Sequence, residues 1–127
     1  DVSSKIDDTP AESIVSRLGA LLAHLARRDP AGGWENDLEG GDRPKWENIV
    51  IAGHSQGAGM AAFIAQHHRV SRVILFSSPW DFYGKPARLA PWIRPSALTP
   101  AARWYGAYHA RENMARAIAQ DVVSATN

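Results

Sequence analysis

The sequence predicts an α/β domain in which a parallel sheet has flanking helices. Three observations lead to this fold class. An amphipathic helical pattern covers residues 10–28, and two short apolar runs rich in β-branched residues cover 48–52 and 70–76. A stretch of small residues with helical character separates the two runs. The order strand, helix, strand over residues 47–76 has the size of a βαβ unit, whose crossover should be right-handed.

The composition is that of an ordinary globular domain, so we predict a single domain over residues 1–127. The net charge of +1 comes without a basic stripe, which argues against a nucleic-acid partner. No apolar run reaches the roughly 18 residues of a membrane span. The chain contains no cysteine, and its five histidines lack metal-ligand spacing, so neither a metal nor a cofactor is predicted.

The first helix is predicted over residues 10–28. Thr9 can cap it, Pro10 suits the first helical position, and Glu12 completes a capping box. Pro30 stops the helix, and a polar loop is expected over residues 29–46. One face is apolar, formed by Ile14, Leu18, Leu21, Leu22 and Leu25.

The βαβ unit follows that loop. The run Asn48–Ala52 is continuous, apolar and partly β-branched, which suits a strand buried on both faces. Gln56 to His68 is predicted to be a helix whose small residues allow close packing on a sheet. Val70 to Phe76 is predicted to be the second strand.

The remainder of the chain is less regular. Residues 79–100 contain five of the eight prolines together with several aromatic residues, and 79–108 is predicted to form a cap-like segment. Residues 101–123 look mostly helical. Alternatively, Arg103 to Tyr108 forms a further strand, and the sequence leaves both readings open.

The pattern Gly53-His54-Ser55-Gln56-Gly57 lies where the buried strand must turn into the helix. Such a sharp turn exposes the serine hydroxyl at the carboxyl edge of the sheet. Residues on either side of the serine approach neighbouring backbone closely, so we expect a side chain at Gly53 or at Gly57 to clash. The helix N-terminus favours developing negative charge, and the backbone N–H of Gln56 is the candidate oxyanion donor.

The segment Ile49–Ala62, with Gly-His-Ser-Gln-Gly at its centre, resembles the strand, nucleophile elbow and helix of the α/β-hydrolase superfamily, particularly its serine esterases and lipases. The resemblance covers about residues 47–78, and residues 9–28 are similar to the helix that usually precedes the elbow strand. It implies that Ser55 is the nucleophile of a catalytic triad.

In this superfamily the acid and then the histidine follow the serine in the chain. Ser55, Asp81 and His109 therefore form one order-consistent triad, with Asp81 just after the second strand. In the alternative, a later strand ends near His109 and Glu112 is the acid, so that the histidine lies beyond Asn127. Both remain open.

The resemblance implies hydrolysis of a small-molecule carboxylic ester through an acyl-enzyme on Ser55. The aromatic residues of 79–108 suggest an apolar or aromatic acyl or alcohol group. The alternatives are an acyltransferase of the same fold and a non-catalytic binding module that retained the elbow.

Two strands are fewer than such a sheet normally has, and the superfamily's second oxyanion donor comes from a loop that the sequence does not show. We therefore expect the chain to be part of a larger hydrolase. The rest of the same polypeptide or another chain would complete the fold.

Overall fold

A computed structural model describes residues 9–79, 81–86, 88–93 and 97–119. The chain divides into two compact units, Asp1–Trp46 and Glu47–Asn127, which are described separately. The architecture is mixed α/β, and its main sheet has three parallel strands.

The first unit begins with the predicted cap, but the α-helix starts later than expected. The Glu12 carboxylate accepts hydrogen bonds from the Thr9 backbone N–H at 3.3 Å and from its hydroxyl at 3.0 Å. This box closes only a single 3₁₀ turn, Pro10–Glu12. Helix α1, Ile14–Arg28, has its own cap at Ser13, whose Oγ accepts from the Ser16 N–H at 3.2 Å. The extended backbone of Ser13 separates the two elements.

The predicted loop over 29–46 contains short 3₁₀ turns and a two-stranded antiparallel pair. Strand β1, Leu38–Glu39, pairs with β2, Arg43–Pro44. Helix α1 lies close to this pair, because a Cβ at Gly19 would collide with the carbonyl oxygen of Asp42. Glycine at this helix position therefore allows a close backbone approach within the first unit.

The second unit contains the βαβ arrangement, one further strand of the same sheet and a separate antiparallel pair. Strand β3, Val50–His54, leads into helix α2, Gln56–His67, which leads into strand β4, Arg72–Phe76. A short antiparallel pair follows, formed by β5, Phe82–Tyr83, and β6, Arg88–Leu89. Strand β7, Trp104–Ala107, then returns to the sheet. The strand order is β3-β4-β7, and all neighbours are parallel.

Helix α2 packs against β3 and β4, and this sets the core. Val73 and Leu75 of β4 are fully buried, as are Ala58, Ala62 and Ala65 of the helix. Small helical side chains allow this close approach, as predicted from the sequence. The opposite face of the sheet is more open, and three of its large apolar side chains are about half exposed: Val50, Phe76 and Tyr105.

The βαβ prediction is confirmed with small shifts of its boundaries. The first strand is Val50–His54, which lies two residues later in the chain than the predicted run Asn48–Ala52. Of the two readings for residues 101–123, the strand is confirmed, and the cap-like segment 79–108 thus includes a strand of the sheet. Helical structure resumes at 115–119, while residues 120–127 lie outside the described residues. Within the described part of the chain, no helix is long and apolar enough to cross a bilayer.

Candidate active site

Ser55 lies between β3 and α2 in a backbone conformation that L-residues rarely adopt. Its φ is 54° and its ψ is −121°. The turn is held on the strand side, where the Ser55 N–H donates to the carbonyl oxygen of Phe76 at 2.9 Å. Such a conformation costs of the order of 1–3 kcal/mol and persists only when its surroundings enforce it. The side chain of Ser55 is exposed, and it lies at the carboxyl edge of the sheet, where β3 turns into α2.

The two glycines that flank Ser55 at a distance of two residues differ in the space around them. A Cβ at Gly53 would collide with the carbonyl group of Gly57 and with the N–H of Ala58, so no side chain fits there. A Cβ at Gly57 would meet nothing within 4 Å. The expected clash is thus correct for Gly53 and wrong for Gly57, because the space around a Cβ at Gly57 is open.

The first turn of α2 offers backbone donors beside Ser55. The earliest intrahelical bonds run from the Ala58 and Gly59 N–H groups to the Ser55 carbonyl, at 3.0 and 3.3 Å. The Gln56 N–H precedes them and has no intrahelical acceptor, as is usual at a helix start. Together with the positive end of the helix dipole, this N–H suits an oxygen that develops negative charge.

One side of Ser55 opens into a cavity of about 560 Å³, here called the aromatic cavity. The α2 residues that line it recur at helical spacing from the N-terminus, so the helix presents one continuous face to the cavity. Phe63 and Trp92 meet edge to face with their ring centroids 5.9 Å apart. The lining residues are Ser55, Gln56, Gly59, Met60, Phe63, Ser78, Asp81 and Trp92.

Asp81 lines this cavity but contacts no histidine among the described residues. Its Oδ2 accepts a hydrogen bond from the Trp92 indole N–H at 2.7 Å. Trp80, one of the aromatic residues of the predicted cap-like segment, lies outside the described residues. The structure therefore brings Asp81 and Ser55 to the same cavity without joining Asp81 to His109.

The other side of Ser55 opens into a second space of about 350 Å³, here called the Glu112 cavity. It is lined by His54, Ser55, Ser77, Glu112, Asn113 and Met114. Glu112 follows strand β7 as Ser77 follows β4, and parallel strands bring both to one edge of the sheet. The Ser77 hydroxyl donates to Glu112 Oε1 at 2.8 Å, and the His109 backbone N–H donates to the same oxygen at 2.7 Å.

These two bonds favour the ionised carboxylate. The bond from the His109 backbone N–H, followed by that from the Ser77 hydroxyl, holds the pKa of Glu112 below its ordinary value. The nearby imidazoles of His109 and His54 act in the same direction. Glu112 is thus a fixed, charged acceptor that shares a cavity with Ser55.

The His109 ring is exposed and lines neither cavity. Its Nδ1 accepts a hydrogen bond from the Arg111 backbone N–H at 3.2 Å. In a neutral imidazole this bond leaves the proton on Nε2. A general base for serine needs the opposite tautomer, with Nδ1–H directed to an acid and Nε2 free to accept. The described arrangement therefore does not bring His109 and Ser55 together.

Sequence reasoning did not identify Ser77, Met60 and Phe63 as residues around Ser55. Met60 and Phe63 belong to the predicted helix Gln56 to His68, whose small residues were interpreted as contacts with the sheet. Their spacing of four and seven residues from Gln56 was the available signal, because it places them on the face that begins at the elbow. For Ser77 the signal was its position directly after β4, and its φ of 56° became visible only in the structure.

Comparison of the chain with family models, with curated proteins and with solved structures found no match.

Proposed function

We propose that the protein is a serine hydrolase of the α/β-hydrolase kind, which cleaves carboxylic esters through an acyl-enzyme on Ser55. The observation that carries the proposal is the backbone of Ser55. A non-glycine residue with φ of 54° joins a parallel strand to a helix, and Gly53 provides the space that this turn requires. Strain of this kind at a serine is the hallmark of a nucleophile elbow.

In the proposed reaction, the Ser55 hydroxyl attacks the ester carbonyl as its proton passes to a base. The carbonyl oxygen becomes negatively charged and is stabilised by the Gln56 N–H at the start of α2. Collapse of this intermediate breaks the bond to the alcohol oxygen, which takes the proton from the base, and leaves an ester on Ser55. Water then attacks this ester, which releases the acid and restores the serine.

Glu112 is the carboxylate that we propose as the acid of the triad, in preference to Asp81. It follows a strand of the sheet, shares a cavity with Ser55, and is kept ionised by donors from Ser77 and His109. Asp81 instead binds the Trp92 indole. For His109 to act as the base, its bond from Arg111 must break, so that Nδ1 carries the proton and Nε2 accepts from Ser55.

A fluorophosphonate probe tests the nucleophile directly, because it forms a stable adduct with activated serines. We expect one adduct, which peptide mapping places on Ser55, and no adduct in Ser55→Ala. Ser78→Ala is the matched control, since Ser78 lines the same cavity without belonging to the elbow. This variant should still be labelled. A folded wild-type protein that gains no adduct, or one labelled at another serine, would contradict the proposal.

A further inference from the structure

Among the described residues that line the aromatic cavity, Asp81 carries the one ionisable side chain. Its Oδ2 is occupied by the Trp92 indole N–H. Indole donation is neutral, so the negative charge of the carboxylate is not compensated by this bond. Among the described residues there is one ion pair, between Arg69 and Glu47. No cationic side chain among the described residues contacts Asp81.

Three large apolar or aromatic side chains share the lining of the cavity with this charge. Met60, Phe63 and Trp92 all line the cavity, and the Trp92 ring is fixed between the Phe63 ring at 5.9 Å and the Asp81 carboxylate at 2.7 Å. Aromatic faces attract organic cations, and a neighbouring carboxylate adds direct Coulomb attraction. A neutral ester makes only apolar contacts with these side chains.

We propose that Asp81 and Trp92 select ester substrates that carry an ammonium group. This inference rests on the proposed function, because it assigns a substrate class to the cavity beside Ser55. Asp81 attracts the cation, the aromatic rings contact its alkyl groups, and the ester carbonyl reaches Ser55 and the Gln56 N–H. Asp81 is then a specificity-determining residue rather than the acid of the triad.

A pair of esters that differ only in charge tests the proposal. Choline butyrate and 3,3-dimethylbutyl butyrate have nearly the same shape, and a quaternary ammonium group can neither lose a proton nor attack its own ester. Hydrolysis is followed by pH-stat titration. An exposed ion pair combined with a cation–π contact predicts a kcat/KM about tenfold higher for the choline ester.

Asp81→Asn should lower the ratio of the two kcat/KM values to about two- to fivefold, because the cation–π contact with Trp92 remains, whereas Asp81→Glu should keep the ratio close to that of the wild type. Glu47→Gln is the control for removal of a carboxylate, because Glu47 pairs with Arg69 and does not line the cavity. It should leave the ratio unchanged. A ratio near one in the wild type overturns the proposal. So does an equal loss of both activities in Asp81→Asn, which returns Asp81 to the role of triad acid or of a structural residue.

A binding measurement separates this inference from the proposed function. Choline and 3,3-dimethylbutan-1-ol are titrated against Ser55→Ala, which cannot form an acyl-enzyme, and binding is followed by NMR. Preferential binding of choline that is weakened in the double variant with Asp81→Asn supports the cation site even if neither ester is hydrolysed. Equal binding of the two alcohols contradicts it even if Ser55 is an active nucleophile.

Discussion

The two faces of the three-stranded sheet are made by the same strands but differ in how tightly they are packed. On the face covered by α2, Val73 and Leu75 are fully buried. On the other face, the neighbouring residue Phe76 is 44% exposed and Val50 is 50% exposed. Side chains alternate between faces along a strand, so residues adjacent in sequence experience opposite environments. Apolar character alone therefore does not reveal which residues of this sheet are sensitive to substitution.

The sharp turn at Ser55 is packed on the side of the sheet that α2 covers. Gly53 is in register with Leu75, so it points toward α2, where the helix start leaves no room for a Cβ. The strained conformation of Ser55 depends on this close packing of strand and helix, since nothing in the serine itself favours it. The close packing of α2 on this face of the sheet thus stabilises the backbone conformation of Ser55, on which the proposed chemistry depends.

The largest expected effect is that of Gly53→Ala, compared with Gly57→Ala. The added methyl group at Gly53 collides with backbone atoms that cannot move without displacing α2. We expect a loss of at least about 3 kcal/mol in the free energy of unfolding, or failure to fold. Gly57→Ala meets open space at a helical position and should be neutral or stabilising by up to about 1 kcal/mol. Urea denaturation measures both, and equal destabilisation would show that the two glycines are equivalent.

The next effect contrasts two neighbours in β4. Leu75→Ala removes a fully buried side chain and should lower the free energy of unfolding by about 2–5 kcal/mol. Phe76→Ala removes a larger side chain that is nearly half exposed, and we expect a cost of about 1 kcal/mol. Thermal or chemical denaturation measures the loss in the free energy of unfolding for each variant. A cost for Phe76 as large as that for Leu75 would mean that the open face is covered in solution.

The smallest effect concerns the network at the edge of the sheet. Ser77→Ala removes one of the two donors to Glu112, so the pKa of Glu112 should rise toward its ordinary value of 4.5. Carboxyl chemical shifts followed by NMR against pH measure this change. Retention of the wild-type pKa in Ser77→Ala would show that the Ser77 bond does not stabilise the carboxylate.

The same shift has a consequence for stability. A carboxyl group whose pKa is lowered on folding stabilises the protein above its unfolded pKa, and this contribution disappears as the pH falls through the folded value. The destabilisation caused by Glu112→Gln should therefore be larger at pH 7 than in the acid range below 4.5. Glu47→Gln serves as the control for loss of a surface carboxylate.

Local sequence determined the strand, the sharp turn and the helix around Ser55. Apolar runs, small residues at helical spacing and the two glycines act between neighbours in the chain, so their pattern is readable without a structure. The same logic predicted a helix over 10–28 with Thr9 as its cap, whereas the α-helix covers Ile14–Arg28 and is capped by Ser13.

Only the tertiary structure decided which carboxylate and which side chains surround Ser55. The pairing of 104–107 with 73–76 brings Glu112 to Ser77, and these residues are 35 positions apart in the chain. Asp81, much closer to Ser55 in sequence, is drawn to Trp92 on the other side. Contacts between distant residues depend on strand order and on the space left by packing, and a single sequence does not encode either in a local pattern.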